Sequence, residues 1–392
     1  MALYVGIDVS KDKFDACGIG DGGKKVFSCT STMDRNGFEK LVLHLKGKNH
    51  ALLLGLESTA CYHIALFSYL TAKGYRVVII NPLLISNFVK LQLRKTKTDK
   101  KDALTIAQFL MLKREALEEH PSCSADMMEL RDLARRRERL TDQVTKLKGN
   151  MKRIRSVTFP ELEHLTGVFA KSILQLLIRF PSAEALRNAN VDEVASIVVP
   201  RSWGRKSRAW VETLMATASS SIGVSGPAKE LVLKQDAAQL LYIEEQIKEV
   251  TKLLMSLCTE RMNKDIEILT SLQGIGASTA LQFLIEMGGD IRLYKNDKKL
   301  IAAAGLDPST YQSGTYEGKS RISKRGNRHL RRVIWLMAKN TIFSNDLFRS
   351  YFYKRRREGL PYKMAVLATA HKLIRVIFSM LVHQTYFKEG EK

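Results

Sequence analysis

Two rhythms of apolar and polar positions alternate along the first third of the chain. Tyr4–Asp8, Phe14–Ile19 and Lys25–Thr30 are short runs of strand type, and Asp21-Gly22-Gly23 supplies a hairpin turn between the second and third. Asn36–Leu45 changes to helical spacing, with Phe38, Leu41, Val42 and Leu45 on one stripe. Ala51–Glu57 is an apolar run suited to a buried strand, and Ile64–Ala72 is again helical. Arg76–Ile80 predicts a fifth strand, stopped by Asn81-Pro82, with helices beyond it.

The predicted order is therefore β-β-β-α-β-α-β-α, an antiparallel meander followed by α/β crossovers. That order is the one an RNase H-like domain uses. The middle of the chain is helical. Leu130, Leu133, Arg137, Leu140, Val144, Leu147, Met151 and Ile154 follow an unbroken heptad spacing, and Leu240, Ile243, Ile247, Val250, Leu254 and Leu257 repeat it. Two such helices can pair antiparallel within one chain, build a dimer as a coiled coil, or serve as amphipathic members of one bundle. Residues 156–226 lie between them and contain Trp203, Trp210 and the basic stretch Arg201–Arg208. The last third opens with Leu269-x-x-Leu272-x-Gly274-Ile275-Gly276-x-x-x-Ala280, the spacing of a helix-hairpin-helix. The expected layout is α/β plus α. An α/β domain occupies 1–120, a helical coiled-coil connector 121–264, and a mainly α domain 265–392.

Charge sharpens this picture. The 392 residues carry 63 Lys plus Arg against 40 Asp plus Glu, a net +23, while 45% hydrophobic and 26% charged residues exclude wholesale disorder. So large a positive balance points to a polyanionic partner, nucleic acid before an anionic membrane. The excess is +8 over 1–115, +4 over 116–264 and +11 over 265–392. Cys17, Cys29, Cys61, Cys123 and Cys258 are odd in number and never spaced as CxxC, which argues against a disulfide framework or a structural zinc site. The N-terminus reaches Asp8 too soon for a signal peptide, and the apolar stretch Met364–Val382 is broken by His371, Lys372 and Arg375. The expectation is a soluble cytoplasmic protein with no membrane partner.

Four acids stand where such a fold would gather them. Asp8 ends the first strand and Glu57 the fourth, while Asp99 and Asp102 lie three apart where a helix begins, so they share a face. First and fourth strands are central neighbours in an RNase H topology, and a late helix packs across them. Four carboxylates at one point repel unless divalent cations fill the space, and Mg²⁺ takes hard oxygen ligands. Two ions can clamp the attacking and leaving oxygens of a phosphodiester. Taken singly, Asp8 reads as a strand end, and Asp99 and Asp102 as helix-start carboxylates. Lys97, Lys100 and Lys101 beside them suit a phosphate substrate or a solvated face. The Gly274-Ile275-Gly276 turn offers backbone N–H groups to a DNA phosphate, or simply joins two helices. Lys319, Arg321, Lys324, Arg325, Arg328, Arg331 and Arg332 crowd seven cations into fourteen residues without an acid. Ser313, beside Gly314, can act there as a phosphoryl-transfer nucleophile. On spacing alone, a turn serine before a DNA-backbone patch is the simpler reading, and Ser320 and Ser323 compete for the same role.

Taken jointly and in order, these motifs resemble the DEDD-type insertion-sequence transposases, bridge-RNA-guided serine recombinases with a RuvC-like N-terminal domain. GIDVSK, LESTACYH and KTDKKDA match the acidic segments, and the GIG hairpin, AGLDP, QSG and ISKRGNRHLRR match the C-terminal transposase domain. The likeness covers roughly 1–155 and 230–385; 156–226 has no counterpart in it. It implies Mg²⁺ on Asp8, Glu57, Asp99 and Asp102, and a phosphoserine intermediate on Ser313. It further implies a composite site in a homo-oligomer, dimer or tetramer, with double-stranded donor and target DNA chosen by pairing to a structured non-coding bridge RNA. The residues show no sequence-reading module such as a zinc finger, which agrees with delegating sequence choice to RNA. Three rivals stand beside it. A RuvC-like junction nuclease would cut by metal-activated water, and a non-catalytic nucleic-acid-binding protein would leave the acids idle. An actin-like sugar kinase would need glycine-rich phosphate loops and an internal repeat that the chain lacks.

Overall fold

A computed structural model describes residues 2–46, 51–57, 62–80, 82–91, 99–113, 125–309, 312–313, 316–317 and 321–388. The chain divides into two compact units, Met1–Arg131 with Thr259–Lys392, and Asp132–Cys258.

In the first unit, β1 (Ala2–Val9), β2 (Lys13–Gly20), β3 (Lys25–Thr32), β4 (Ala51–Glu57) and β5 (Val77–Ile80) form one sheet in the order β3-β2-β1-β4-β5. The three N-terminal strands are antiparallel, whereas β1–β4 and β4–β5 are parallel. Each strand lies within two residues of its expected limits, and the first and fourth are neighbours. The pleat sorts β1 onto two cores. Leu3, Val5 and Ile7 join Leu54 and Leu56 against α1 (Arg35–Leu45) and α2 (His63–Ala72). Tyr4 joins Cys17, Ile19 and Leu53 against α4 (Asp99–Leu112), with α3 (Pro82–Leu91) on the same side. The sheet is thus covered on both faces, which is why β1 and β4 are apolar throughout rather than alternating. Asp34 caps α1 by accepting from Gly37 N–H at 2.7 Å.

The long helix α5 (Ala125–Thr158) runs from the first unit into the second. Within the second it lies antiparallel to α11 (Pro227–Ser256). Arg137 Nε donates to Thr251 Oγ1 at 3.1 Å, Lys148 pairs with Glu244 at 3.1 Å, and Asn150 bonds Asp236, so numbers rise on one helix as they fall on the other. The two heptad stripes are therefore the two sides of one intrachain pair. Residues 156–226 form small helices across its far end: α6 (Leu162–Leu165), α7 (Lys171–Arg179), α8 (Ala183–Arg187), α9 (Val191–Val198) and α10 (Arg208–Ser219). Their Ile173, Leu177, Leu186, Val194 and Leu214 bury with Met151, Ile154 and Leu240 of the pair. Arg155 is 2% exposed there and donates to the carbonyls of Phe159 and Pro160 and to Glu163.

Back in the first unit, α12 (Glu260–Thr270), α13 (Ala277–Met287), α14 (Asp297–Ala303), α15 (Arg328–Ser344), α16 (Asp346–Arg357) and α17 (Tyr362–His383) make the C-terminal helical body. Arg131 at the start of α5 donates to the Ile285 carbonyl at 3.3 Å. Helix α17 is long and apolar enough to cross a membrane, but its Ala365, Val366, Thr369, Leu373, Ile374 and Ile377 are buried, as befits a core helix. Between α14 and α15, β6 (Pro308–Ser309) pairs with β9 (Arg321–Ile322), and β7 (Gln312–Ser313) with β8 (Tyr316–Glu317).

Candidate nucleic-acid active site

Strand register sets out the acidic residues. Ile7 is level with Leu56 on the parallel neighbours β1 and β4, so Asp8 and Glu57 stand level near the same end of the sheet. By the pleat both share the face of Gly6 and Gly55, the face that α4 covers. A Cβ on Gly6 would collide with the Ala103 carbonyl and the Ala107 nitrogen, and one on Gly55 would stand 2.7 Å from Leu110. Glycine lets the helix backbone touch the sheet. Asp102 immediately precedes Ala103, so that contact brings it to the strand position two residues before Asp8. Asp8, Glu57 and Asp102 are each half-buried. Asp99 begins α4, but its side chain, with those of Lys100 and Lys101, lies outside the described residues, as does Lys97 entirely.

Sequence reasoning missed one carboxylate here. Asp15 stands directly opposite Asp8 in the β1–β2 register, is 3% exposed, and accepts from Thr30 Oγ1, with Lys13 Nζ at 4.0 Å. A period-2 count from Phe14 would have put it on the same face as Cys17 and Ile19, and that was the available signal. All these donors are carboxylate oxygens, the kind Mg²⁺ takes. Among the described residues, no group of three His, Cys, Asp or Glu side chains is drawn close enough to hold a metal ion.

The basic segment is built on a tight crossing of two loops. Ser323 N–H donates to the Asp307 carbonyl at 2.9 Å, Lys324 N–H to Gly305 at 3.1 Å and Asn327 N–H to Ala303 at 2.7 Å. Ser323 Oγ donates to Asp307 Oδ1 at 2.5 Å, so this serine is bound into the crossing. Ser313 pairs with Tyr316 between β7 and β8; its side chain, and Lys319 and Ser320 altogether, lie outside the described residues. Arg321, Lys324, Arg325 and Arg328 are exposed. Arg331 is spent differently, donating to the Ala304 carbonyl at 2.9 Å and so bracing the crossing, while Arg332 is half-buried. A cavity of about 500 Å³ opens beside β6 and β9, lined by Leu306, Asp307, Arg321, Leu367 and His371 among others. His371 Nε2 meets the Leu306 carbonyl at 3.0 Å, and burial lowers its pKa.

The two hairpin glycines have separate places. Gly274 has φ +99, and a Cβ there would come within 2.7 Å of Thr341 Cα, so it lets the turn press on α15. Gly276 is the residue before α13, and its Cβ position faces open space. Of the two, the second alone has an open Cβ position among the described residues.

Two family models match the chain in order. The DEDD transposase domain of IS110 elements matches residues 5–160, and the transposase IS116/IS110/IS902 family matches 266–353. The chain belongs to the IS110/IS116 family of insertion-sequence transposases. It is 24% identical over 391 residues to an IS110 insertion-element protein of Streptomyces coelicolor, covering 99% of this chain and 96% of that one. A pilin gene-inverting protein of Moraxella bovis is 23% identical over 383 residues, with 96% and 95% covered. The transposase of IS1111A from Coxiella burnetii is 24% identical over 393 residues, with 98% and 91% covered. Membership of this transposase family means an enzyme acting on DNA. The four candidate acids fall inside the first matched segment, and Ser313 with its cations inside the second. Most of the small-helix layer of the second unit falls between them.

Proposed function

We propose that this transposase cuts and rejoins DNA through a phosphoserine intermediate, with an RNase H-like, RuvC-like N-terminal segment and a serine-bearing C-terminal segment as the two halves of one active site. The observation that carries the reading is the level standing of Asp8 and Glu57 on β1 and β4 under α4, with Asp102 on that same face. The sheet order, with three antiparallel strands followed by two parallel ones, supports the RNase H-like assignment. Asp8, Glu57, Asp99 and Asp102 would hold Mg²⁺. Bound there, the metal supplies the positive charge that a dianionic phosphoryl transition state needs.

The remaining chemistry belongs to the chain. As the Ser313 Oγ–phosphorus bond forms, one P–O ester bond of the strand breaks. The serine proton balances the proton gained by the leaving hydroxyl. A hydroxyl of the incoming strand then attacks the same phosphorus and returns the serine. Arg321, Lys324, Arg325 and Arg328 hold the phosphate backbone and offset its developing charge. Engagement of Ser323 by Asp307 favours Ser313 for the covalent role. The family resemblance adds a homo-oligomer, in which one protomer's serine serves another's carboxylates, and a bridge RNA that selects donor and target duplexes. The pilin gene-inverting relatives, named for rearranging DNA, agree with strand exchange rather than cleavage alone.

Mg²⁺-dependent cleavage of labelled element-end DNA, with the flanking non-coding RNA present, tests this. Asp8→Asn and Asp102→Asn are expected to abolish cleavage while leaving DNA affinity within a few-fold of the parent. Unchanged cleavage in both variants would sink the carboxylate assignment.

A further inference from the structure

The layer of small helices contains a turn that no part of the reaction above uses. Residues 199–207 connect α9 to α10, and at their tip Trp203 is 91% exposed, the most exposed large apolar residue described. Its φ is +53, a left-handed conformation that is uncommon for a bulky side chain, and Gly204 follows at φ +75. Strained backbone of this kind persists only where surrounding contacts hold it, and it clusters at functional positions. Those contacts are present. Ser202 is buried; its hydroxyl donates to the Val199 carbonyl at 2.9 Å and accepts from Lys206 N–H at 3.1 Å, closing the turn. Arg201 donates to the Ile197 carbonyl at 3.1 Å, tying the turn to the end of α9. Lys206 packs inward, its ammonium 5.1 Å from the Trp210 ring centroid. The turn is therefore rigid at its base and carries a bare indole at its tip.

The charges beside that indole have one sign. Arg201 and Arg205 flank it, both exposed, and among the described residues neither is ion-paired to a carboxylate. Arg208, further on, is already engaged by Asp192 at 2.5 Å. A flat aromatic face between Arg205 and Arg201, the latter anchored through one nitrogen to backbone carbonyls and neither neutralised by a carboxylate among the described residues, matches an unpaired nucleobase with a phosphate on either side. A base inside a duplex has no face to offer such a platform.

We propose that Trp203 is a stacking platform for an unpaired base of single-stranded nucleic acid, with Arg201 and Arg205 on the adjoining phosphates. The proposal rests on the nucleic-acid reading of the chain for its ligand class and goes beyond it in naming a second site, outside the carboxylates and the serine. Full-length protein is titrated with labelled oligouridylate RNA, oligothymidylate DNA and a blunt DNA duplex. Anisotropy reports affinity, and intrinsic fluorescence reports stacking. Single strands are expected to quench tryptophan emission, and Trp203→Ala to weaken their binding roughly 5- to 100-fold. Trp203→Phe is expected to restore most of it, and duplex affinity to be unchanged. The tighter of the two single strands identifies RNA or DNA as the source. Equal single-strand affinity in Trp203→Ala and the parent overturns the platform, as does a parallel loss of duplex binding, and both leave the transposase reading intact. A change in oligomeric state or in binding to anionic vesicles, without a single-strand effect, assigns the indole to a protein or lipid surface and overturns it equally. A parent that binds neither single strands nor duplex removes the nucleic-acid reading itself.

Discussion

Asp265 shows how much one buried carboxyl can report. It lies on α12 with no solvent exposure; Oδ1 accepts from Gln384 Nε2 at 2.8 Å, and Oδ2 has no hydrogen-bond partner among the described residues. Burial raises its pKa, against the smaller opposing effects of the Gln384 bond and Arg261. The native state therefore holds this proton to higher pH than the unfolded chain does. Its contribution to stability is full below the unfolded carboxylate pKa of about 3.9 and is lost as pH rises through the native value. Asp265→Asn keeps the acceptor for Gln384 and removes the titration. Its urea midpoint relative to the parent is expected to climb from pH 4 upward and then level off. A difference independent of pH would contradict the assignment.

Asp15 and Arg331 mark what single residues conceal in a sequence. Asp15 sits in a strand whose apolar neighbours dominate the pattern, so its place beside Asp8 emerges only from the β1–β2 register. Arg331 belongs by sequence to a run of cations suited to phosphate. By contact it is a brace for Ala304, because nothing in a charge run distinguishes the member that faces inward.

Among the elements, α4 lies directly on the backbone of β1, and Gly6 permits it. Gly6→Ala puts a methyl where the Ala103 carbonyl and Ala107 nitrogen already lie, so the helix must withdraw from the sheet. The expected cost is about 1–3 kcal/mol in urea unfolding. Strand cleavage is expected to fall further than that stability loss explains, because Asp102 withdraws with the helix. Parent-like cleavage in Gly6→Ala would show that the α4 contact does not position the site.

The N-terminal strands and helices were legible because a two-faced sheet makes continuous apolar runs bounded by Gly, Asn and Pro. The heptad stripes were legible too, but a stripe does not name its partner. Only cross-links such as Arg137–Thr251 reveal an antiparallel pair within one chain. The four two-residue strands between Pro308 and Ile322 were invisible, being too short to have a period. The small-helix layer at 156–226 was also unread. Its helices are short, their cores are shared with α5 and α11, and the Trp203 turn depends on a hydroxyl closing a loop.

For the molecule as a whole, the +23 net charge is a statement about binding more than about fold. Arg321, Lys324, Arg325 and Arg328 around the loop crossing are exposed, and on the proposed function they would displace counterions from a DNA backbone. The logarithm of duplex affinity should fall linearly with the logarithm of salt concentration, and Arg321→Ala or Arg325→Ala should each lower the slope by about 1. Arg331→Ala should instead reduce thermal stability and leave the slope unchanged if the fold survives. Equal slopes for the parent and both exposed-site variants would remove this surface from the DNA contact.

In the proposed reaction Ser313 becomes covalently joined to DNA, and covalent trapping measures that bond most directly. Full-length protein is incubated with Mg²⁺, labelled element-end DNA and the flanking non-coding RNA, then denatured and resolved by gel. A labelled protein–DNA band is expected that Ser323→Ala retains and Ser313→Ala loses. Cleaved DNA with no covalent band from the parent, or a band that persists in Ser313→Ala, would contradict it.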